Sequence, residues 1–404
     1  MNTSVKGTIT TLLSRAFRPS TSRTLLCAAV TLVLASSTIL AQNPSGSSIT
    51  SFNNATGEHV YYVGANQHVY QLYWNGATET NQDLTLASRA TYSASGGPIT
   101  GFSNATGEHV YYVDGNNHVS QLYWNGTTES NQDLTALTGG VSAWWNALVS
   151  FNDTYGEHVY NVGYSNNDIY QLFWNGKQEF NQNLTSMTNG ARYLWGAIAG
   201  FSSSDGQHLY YFGPQNHIYQ LYWSKTTGAE YNQDLTAMTG APQGAGAMAA
   251  INDASGEHVW YNGDNQHIYE LTYSGAETWQ DLTARTSGAL AASETAITAF
   301  SDTYGEHVYY IGANQHIYHL YNNGNWFAQD LTSWTNAPAA DDMCGGKLTA
   351  FSNANGQHVY YVDVDGHVNQ LYWQSSTGHE FNQDLTNLSG GAPLALFGPY
   401  CLLE

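Results

Sequence analysis

Short runs in which apolar and polar side chains alternate recur along the chain from residue 49 onward. The first repeat has four, at residues 49–52, 59–63, 68–74 and 81–85. Alternating Val, Tyr, Leu and Trp are typical of pleated strands with a buried face. Residues 64–67 and 75–76 separate the later runs and contain Gly and Asn, which tolerate the positive φ of hairpin turns. The pattern predicts four antiparallel strands and leaves little room for helices.

The segment at 57–63, which reads Gly-Glu-His-Val-Tyr-Tyr-Val, occurs seven times in closely similar form. Its histidines follow one another at steps of 50, 49, 50, 50, 49 and 51 residues: His59, His109, His158, His208, His258, His307 and His358. A period near 50 with four strands in each unit predicts an all-β fold, a seven-bladed β-propeller over residues 48–397. A solenoid fits less well, because about 50 residues is long for one coil.

Two segments look like the first strand of a blade, one at each end of the repeats. They are 49–52 and 394–397. The second either closes the ring against the first repeat or caps the last blade, and the sequence leaves both open. The linkers that precede the first strands vary in sequence, which is typical of surface connections on one rim.

Composition and charge narrow the class of partner. Aromatic residues make up 14% of the chain and charged residues 10%, which excludes a disordered chain. The formal net charge is −21, and four of the ten basic residues lie in the first 23 positions, so the remainder carries 6 basic against 31 acidic residues. Such a field repels phosphate backbones and anionic lipid. We expect no nucleic-acid partner.

The first 41 residues have the features of an export signal. Basic residues end at Arg23, an uncharged stretch runs from 24 to 41, and small residues offer cleavage near Ala41. The alternative is an uncleaved membrane anchor, because 18 uncharged residues is close to the length of a span. We expect a signal peptide at 1–41, a short linker at 42–47 and a secreted or periplasmic protein with no further span.

Three cysteines are present. Cys27 falls within the signal, which leaves Cys344 and Cys401 in an oxidising compartment. One disulfide between these two would tie the last linker to the C-terminal tail at 398–404.

The repeated histidines have two possible roles. A turn centred near residues 65 and 66 would place His59 opposite Leu72 and His68 opposite Val63, at opposite ends of one hairpin. That distance argues against a zinc site within a blade, since zinc needs converging ligands. We therefore expect no metal and no cofactor. Either the histidines make hydrogen bonds between blades, or they are polar contacts in repeated ligand pockets.

A second motif, Asn-Gln-Asp-Leu-Thr at 81–85, also recurs. Its fourth-run acid is Asp83, Asp133, Asp234, Asp281, Asp330 and Asp384, with Asn183 in the third repeat. Glycoside hydrolysis requires two carboxylates in one pocket, and this motif supplies one per blade. We expect the acid to cap turn amides.

Tryptophans end the third run of most repeats: Trp74, Trp124, Trp174, Trp223 and Trp373. The fifth and sixth repeats carry Tyr273 and Asn322 there, with Trp279 and Trp326 on their fourth runs. Many of these rings pack between blades. An aromatic face beside Gln, Asn and His is also what a neutral sugar needs.

At the level of pattern, the chain resembles the fungal-type fucose-specific lectin family of β-propellers. The shared features are a second strand reading x-V-Y-Y, a short polar turn and a third strand reading I/V-x-E/Q-L with an aromatic after it. In that family an Arg on the second strand and a Glu twelve residues later hold fucose, with an aromatic from a neighbouring strand. The corresponding pairs here are His59 with Gln71, His109 with Gln121, His158 with Gln171, His208 with Gln220, His258 with Glu270, His307 with His319, and His358 with Gln370.

The resemblance implies a sugar-binding propeller, although no repeat has the Arg and only one has the Glu. We therefore expect a multivalent, non-catalytic lectin-like protein whose partners are glycans bound at inter-blade pockets by these His, Gln and Trp residues. A protein-interaction scaffold is the first alternative. An enzyme, such as a glycosidase or lyase, is the second, and the break in the repeat at 341–344, with Lys347, is its best candidate centre.

Overall fold

The computed structural model describes residues 48–396, apart from 95, 294 and 343–346. These residues form seven four-stranded antiparallel sheets, and each sheet uses four consecutive strands in chain order. The seven-bladed prediction is confirmed. The signal at 1–41, the linker at 42–47, both cysteines of the predicted disulfide, Cys344 and Cys401, and the tail at 398–404 lie outside the described residues.

Blades 1 to 4 consist of β1 (Ile49–Asn53), β2 (Glu58–Val63), β3 (Val69–Trp74), β4 (Glu79–Asp83), α1 (Leu84–Ser88), β5 (Ile99–Asn104), β6 (Gly107–Val113), β7 (Val119–Trp124), β8 (Glu129–Asp133), α2 (Leu134–Thr138), β9 (Ala143–Asn152), β10 (Glu157–Gly163), β11 (Ile169–Trp174), β12 (Glu179–Asn183), α3 (Leu184–Thr188), β13 (Ile198–Ser202), β14 (Gly206–Phe212), β15 (Ile218–Ser224), β16 (Glu230–Asp234) and α4 (Leu235–Thr239). Blades 5 to 7 consist of β17 (Gly244–Asp253), β18 (Gly256–Gly263), β19 (Ile268–Tyr273), β20 (Glu277–Asp281), α5 (Leu282–Thr286), β21 (Ile297–Asp302), β22 (Gly305–Ile311), β23 (Ile317–Asn322), β24 (Trp326–Asp330), α6 (Leu331–Thr335), β25 (Leu348–Asn353), β26 (Gly356–Val362), β27 (Val368–Gln374), β28 (His379–Asp384) and α7 (Leu385–Leu388). A single 3₁₀ turn, Pro214–Asn216, lies between β14 and β15.

The first strand of each blade packs against the first strands of its neighbours, and the ring closes where β1 meets β25. The Ser51 and Thr349 hydroxyls are 2.9 Å apart across that closure. The fourth strands are mostly polar and partly exposed, so they lie at the outer edge. Between neighbouring blades the alternating apolar residues form the core, as where Phe52 and Leu84 pack with Val110 and Tyr112.

The register of the second and third strands differs from the prediction by one residue. His59 lies opposite Tyr73, not Leu72, and Val63 pairs with Val69. The predicted four-residue turn is a five-residue connection at 64–68, in which Gln67 takes a φ of 66°. Because successive side chains point to opposite faces, a slip of one residue changes which side chains share a face with His59.

The fourth run is shifted to 79–83, and the helices are few and short, as the pattern predicts. β4 ends at Asp83, and the next residue begins a one-turn helix in the first blade and in each of the other described blades. The Asp83 side chain accepts a hydrogen bond of 2.8 Å from the Leu86 amide, which makes it the N-cap of α1. Asn183 caps α3 in the same way. The acid of the motif caps amides as predicted, but it caps a helix.

The C-terminal segment joins the last blade to the first. The Ala65 amide donates to Leu394 O at 2.8 Å, and Leu396 N donates to Val63 O at 2.8 Å. Ala395 forms an isolated bridge with Gly64, as linker residue Ser93 does with Asp114 one blade later. The segment therefore serves as an inter-blade linker and adds no strand to the sheet of blade 1. Among the described helices, none has the length and apolar composition to cross a membrane.

Candidate binding clefts between the blades

A cleft lies between blades 1 and 2. His59 and Tyr73 are paired across β2 and β3, and Tyr61 with Gln71, so these four side chains share one face of blade 1. Trp124, on the third strand of blade 2, faces them. The resulting cleft has a volume of about 380 Å³.

The floor of this cleft is a hydrogen-bonded network that fixes His59. The Gln71 Nε2 group donates to His59 Nδ1 at 3.0 Å and to the Tyr61 hydroxyl at 2.8 Å. The Tyr61 hydroxyl donates to Glu108 Oε2 of the next blade at 2.7 Å. On its other side, His59 Nε2 lies 3.1 Å from Asn54 Oδ1. Burial lowers the pKa of His59, so the ring is neutral at pH 7, and the Tyr61 hydrogen bond to Glu108 links the two blades.

A similar network recurs at other interfaces, and in each of the pairs named below one partner is a carboxylate and the other an amide. Glu108 of blade 2 accepts a hydrogen bond of 2.9 Å from Asn54 Nδ2 of blade 1. In the reverse arrangement, Gln207 of blade 4 donates a hydrogen bond of 2.8 Å to Asp153 of blade 3. One carboxylate faces one amide at these interfaces: Asn54 with Glu108, Asn104 with Glu157, Asp153 with Gln207, Asp302 with Gln357, and Asn353 with Glu58.

Above the floor, the walls carry side chains that reach solvent. The Tyr73 ring stacks on His59 with centroids 4.9 Å apart and is half-buried, as is Trp124 opposite it. Gln82, which pairs with Gln71 on the outer strand, is exposed at the same cleft. Two rings and several polar groups thus line one concave site.

A carboxyl group on the fourth strand completes the wall. Burial and the nearby Glu108 carboxylate raise the pKa of Glu129 to about 7. The equivalents in five other blades have their pKa raised to about 7 by burial in the same way: Glu79, Glu179, Glu230, Glu277 and Glu380. Near neutral pH, these groups exist in two forms: the protonated carboxyl donates and accepts hydrogen bonds, and the ionised carboxylate only accepts.

The structure groups the predicted site residues differently from the sequence. The seven repeated histidines are buried, and their partners on the third strand hold their Nδ1 atoms: Gln71, Gln121, Gln171, Gln220, Glu270, His319 and Gln370. Each third-strand Trp lies on the face opposite to the His of its own blade, so it lines the preceding cleft. Trp223 accordingly meets Tyr155 at 5.0 Å, and Trp373 meets Tyr304 at 4.9 Å. Contact of these residues with a ligand stays a prediction.

The two fourth-strand tryptophans lie away from the position of Trp74. Trp279 pairs with Leu271, where Asn81 pairs with Leu72 in blade 1. Trp326 pairs with Asn322, where other blades carry the glutamate described above, and it is buried between blades 5 and 6. Neither therefore replaces the third-strand Trp.

The interface between blades 5 and 6, which we call the 5/6 interface, lacks the features of the other clefts. Thr272 stands in place of Tyr73, Asn322 in place of Trp124 and Trp326 in place of Glu129. It also departs from the pairing of one carboxylate with one amide seen at the interfaces named above, because Asp253 and Glu306 are both carboxylates. Burial opposes the charged form of His258, but hydrogen bonds to Asp253 and Glu270 and the nearby carboxylates raise the pKa of this ring to about 10.

Three sets of cleft residues were missed by the sequence reasoning. They are the equivalents of Glu129, of Tyr73 and of Gln82. A signal for them exists, because the glutamate stands four residues before the capping acid and the glutamine one residue before it. The predicted alternative centre near 341–344 is in part visible: Lys347 Nζ forms a buried ion pair of 2.7 Å with Asp341, while residues 343 and 344 lie outside the described range.

Comparison with known proteins gives neither a matching family model nor a matching curated protein. Among solved structures, the chain is similar to the fungal lectin of Aleuria aurantia, a six-bladed β-propeller with a novel fucose recognition mode, at 18% identity over 69% of this chain and 92% of that one, with a TM-score of 0.46. The SapL1 lectin in complex with α-methyl fucoside is 15% identical over 70% and 95%, with a TM-score of 0.47. Apo AztD from Citrobacter koseri is 7% identical over 88% and 96%, with a TM-score of 0.45.

Proposed function

We propose that the protein is a multivalent carbohydrate-binding propeller whose sugar sites are the clefts between the blades. One observation carries this proposal. Two half-buried rings, Tyr73 and Trp124, line the same cleft as the polar side chains Gln82 and Glu129. The volume of about 380 Å³ lies in the range of small-molecule sites.

The chemistry of these groups suits a neutral sugar. An aromatic face stacks on the C–H face of a sugar ring, and amide and carboxyl groups bond its hydroxyls in both directions. An uncharged ligand is indifferent to the strongly acidic protein. His59 and Gln71 already bond each other and Tyr61, so we assign them to the floor, where they hold the walls in place and offer few free atoms.

Repetition supplies the strength of binding. Single shallow sites bind weakly, and several sites on one ring bind a glycan-bearing surface with avidity. Fucose is the first terminal sugar to test, because the sequence resembles the fucose-specific lectins at the positions of these clefts. The export features at 1–41 support a secreted or periplasmic location, where such glycans are met.

A glycan array probed with the purified protein tests the proposal. We expect binding to a coherent set of glycans. Trp124→Ala should weaken one cleft and lower the apparent avidity without abolishing binding. Trp195→Ala is the matched control, because this exposed Trp donates a hydrogen bond to Asn216 in a turn at the other end of the strands. A blank array at high protein concentration would contradict the proposal.

The scaffold alternative has one observation in its favour. The fourth residue of several one-turn helices is a large exposed apolar side chain, as in Leu137, Met187 and Met238. Each of these helices packs on the outer strand of the next blade, so these side chains lie on the outer edge of the ring. A protein partner bound there would survive Trp124→Ala and be lost on Met187→Lys with Met238→Lys, which separates the two functions.

A further inference from the structure

The 5/6 interface gathers more negative charge than its neighbours. Asp253, Glu270 and Glu306 surround His258, with contacts to its ring nitrogens of 3.4, 2.8 and 3.9 Å. Glu270 and Glu306 are only 1% and 8% exposed. Within the described residues, His258 is the one cationic group at ion-pair distance from any of the three. Buried carboxylates in such excess require a counter-charge.

Glu306 has lost the hydrogen-bond donors that satisfy its equivalents. Glu108 receives the Tyr61 hydroxyl at 2.7 Å and the Asn54 amide at 2.9 Å. In blade 5 the Tyr is Trp260 and the Asn is Asp253, and neither donates to Glu306. Its donors among the described residues are Ser255 Oγ at 3.3 Å and Asn322 Nδ2 at 3.5 Å, both long. This buried carboxylate therefore points into the cluster with its acceptor capacity largely unused.

Glu270 occupies the position that Gln71 has in blade 1, and this difference changes which nitrogen of the histidine carries a proton. In blade 1, Gln71 donates to His59 Nδ1, so Nε2 must carry the ring proton. In blade 5, Glu270 accepts from His258 Nδ1, so that nitrogen carries a proton, and Nε2, which lies 3.4 Å from Asp253 and 3.9 Å from Glu306, is the nitrogen left to bind an ion. A carboxylate that accepts from one nitrogen while the other ligates is the usual second shell of a metal-binding histidine.

We propose that Asp253, His258 and Glu306 bind one divalent transition-metal ion of the zinc class, oriented by Glu270. The ligand atoms lie within 4.8 Å of one another. His258 Nε2 is 3.4 Å from Asp253 Oδ1, close to the edge of roughly 3.3–3.6 Å that a tetrahedral zinc site requires. One imidazole with two carboxylates favours zinc over magnesium or calcium, which take oxygen ligands. The ion takes the place of the second proton of the His258 ring.

The Ser255 hydroxyl marks the point on which the ligands converge. It lies 2.6 Å from Asp253 Oδ1, 2.8 Å from His258 Nε2 and 3.3 Å from Glu306 Oε1. Rotation about χ1 of this serine opens that point to an ion. The site uses residues of two blades and only one histidine, whereas the two histidines of one hairpin lie too far apart to share zinc.

A second cluster, Asp205, His208 and Glu257, has similar ligand spacing but lacks these properties. Gln220 donates to His208 Nδ1 at 3.1 Å, so Nε2 holds the proton. Glu257 is satisfied by the Tyr210 hydroxyl at 2.7 Å. This cluster supplies the matched control.

The test is equilibrium dialysis of the full chain against Zn²⁺ with the bound metal measured by mass spectrometry, and Co²⁺ absorption as a report of coordination. We expect one Zn²⁺ bound at the site and tetrahedral Co²⁺ bands. Asp253→Asn should remove the ion, and Glu270→Gln should weaken binding by about 10- to 100-fold. Both variants copy residues that stand at these positions in other blades, so both are expected to fold. Glu257→Gln should leave binding unchanged.

Two results would overturn the proposal. One is the absence of Zn²⁺ binding at micromolar concentration. The other is binding that persists unchanged in both Asp253→Asn and Glu270→Gln, which would place the ion on other histidines. The outcome is independent of the sugar sites, because the 5/6 interface lacks the residues that line them.

Discussion

Replacing Gln207 by Glu would put two carboxylates on one inter-blade hydrogen bond. Gln207 is buried, its Nε2 donates to Asp153 Oδ2 at 2.8 Å, and its Oε1 accepts from the Tyr160 hydroxyl at 3.1 Å. The change keeps the acceptor and removes the donor. It creates at the interface of blades 3 and 4 an excess of negative charge like that of the 5/6 interface.

The magnitude follows from the distance. Two ionised carboxylates cannot stay about 2.8 Å apart in a buried site, so one of them takes up a proton. Holding a glutamate of ordinary pKa near 4.3 neutral at pH 7 costs roughly 3–4 kcal/mol, at about 1.36 kcal/mol per pH unit. The pKa of the new carboxyl is raised in the folded state, so its cost is absent below about pH 4 and grows as pH rises toward 7.

Urea unfolding of four proteins measures this cost. They are the wild type, Gln207→Glu, Asp153→Asn and the double variant, each at pH 5 and pH 7. The double variant recreates the pairing of Asn54 with Glu108, so we expect it to recover most of the free energy of unfolding lost in Gln207→Glu, with a coupling energy of roughly 2–4 kcal/mol. A double variant as unstable as Gln207→Glu alone would refute charge compensation between blades.

Two further predictions concern stability. Because the pKa of Glu129 is raised to about 7, its contribution to stability falls as pH rises from about 4.5 to about 7. Glu129→Gln should reduce this fall in the free energy of unfolding, measured with urea at pH 5 and pH 8. An unchanged difference between the two pH values would argue against a buried Glu129. Asp83→Ala removes the N-cap hydrogen bond to Leu86 and should lower the free energy of unfolding by about 0.5–2 kcal/mol, measured by thermal unfolding. Asp83→Asn should be nearly neutral, because Asn183 caps α3 in the same way. Equal losses of stability in both variants would contradict the capping role.

The fold could be predicted because its signal is periodic. Seven copies of one four-strand pattern recur at nearly constant spacing, and each copy forms one blade of the ring. The register could not be predicted, because Gln67 adopts a left-handed conformation that sequence assigns to Gly or Asn. That single residue lengthens the turn and moves Tyr73, not Leu72, opposite His59.

The clefts were harder to predict than the blades. Trp74 is close in sequence to Gln71, but three residues along a strand place it on the opposite face. The Trp that shares a cleft with His59 is therefore Trp124, from the next blade, and only the stacking of blades brings them together. The sequence pattern did not predict α1, because this single turn is specified by the N-cap at Asp83 and not by apolar periodicity.

The most direct test of the sugar-binding account is a count of bound sugar. Native mass spectrometry of the protein, titrated with the best monosaccharide from the array, reports how many ligands one chain holds at saturation. The account predicts several ligands and no more than about six, since the 5/6 interface lacks Tyr, Trp and Glu at the cleft positions, and one fewer in Trp124→Ala. No saturable binding, or an unchanged count in Trp124→Ala, would contradict it.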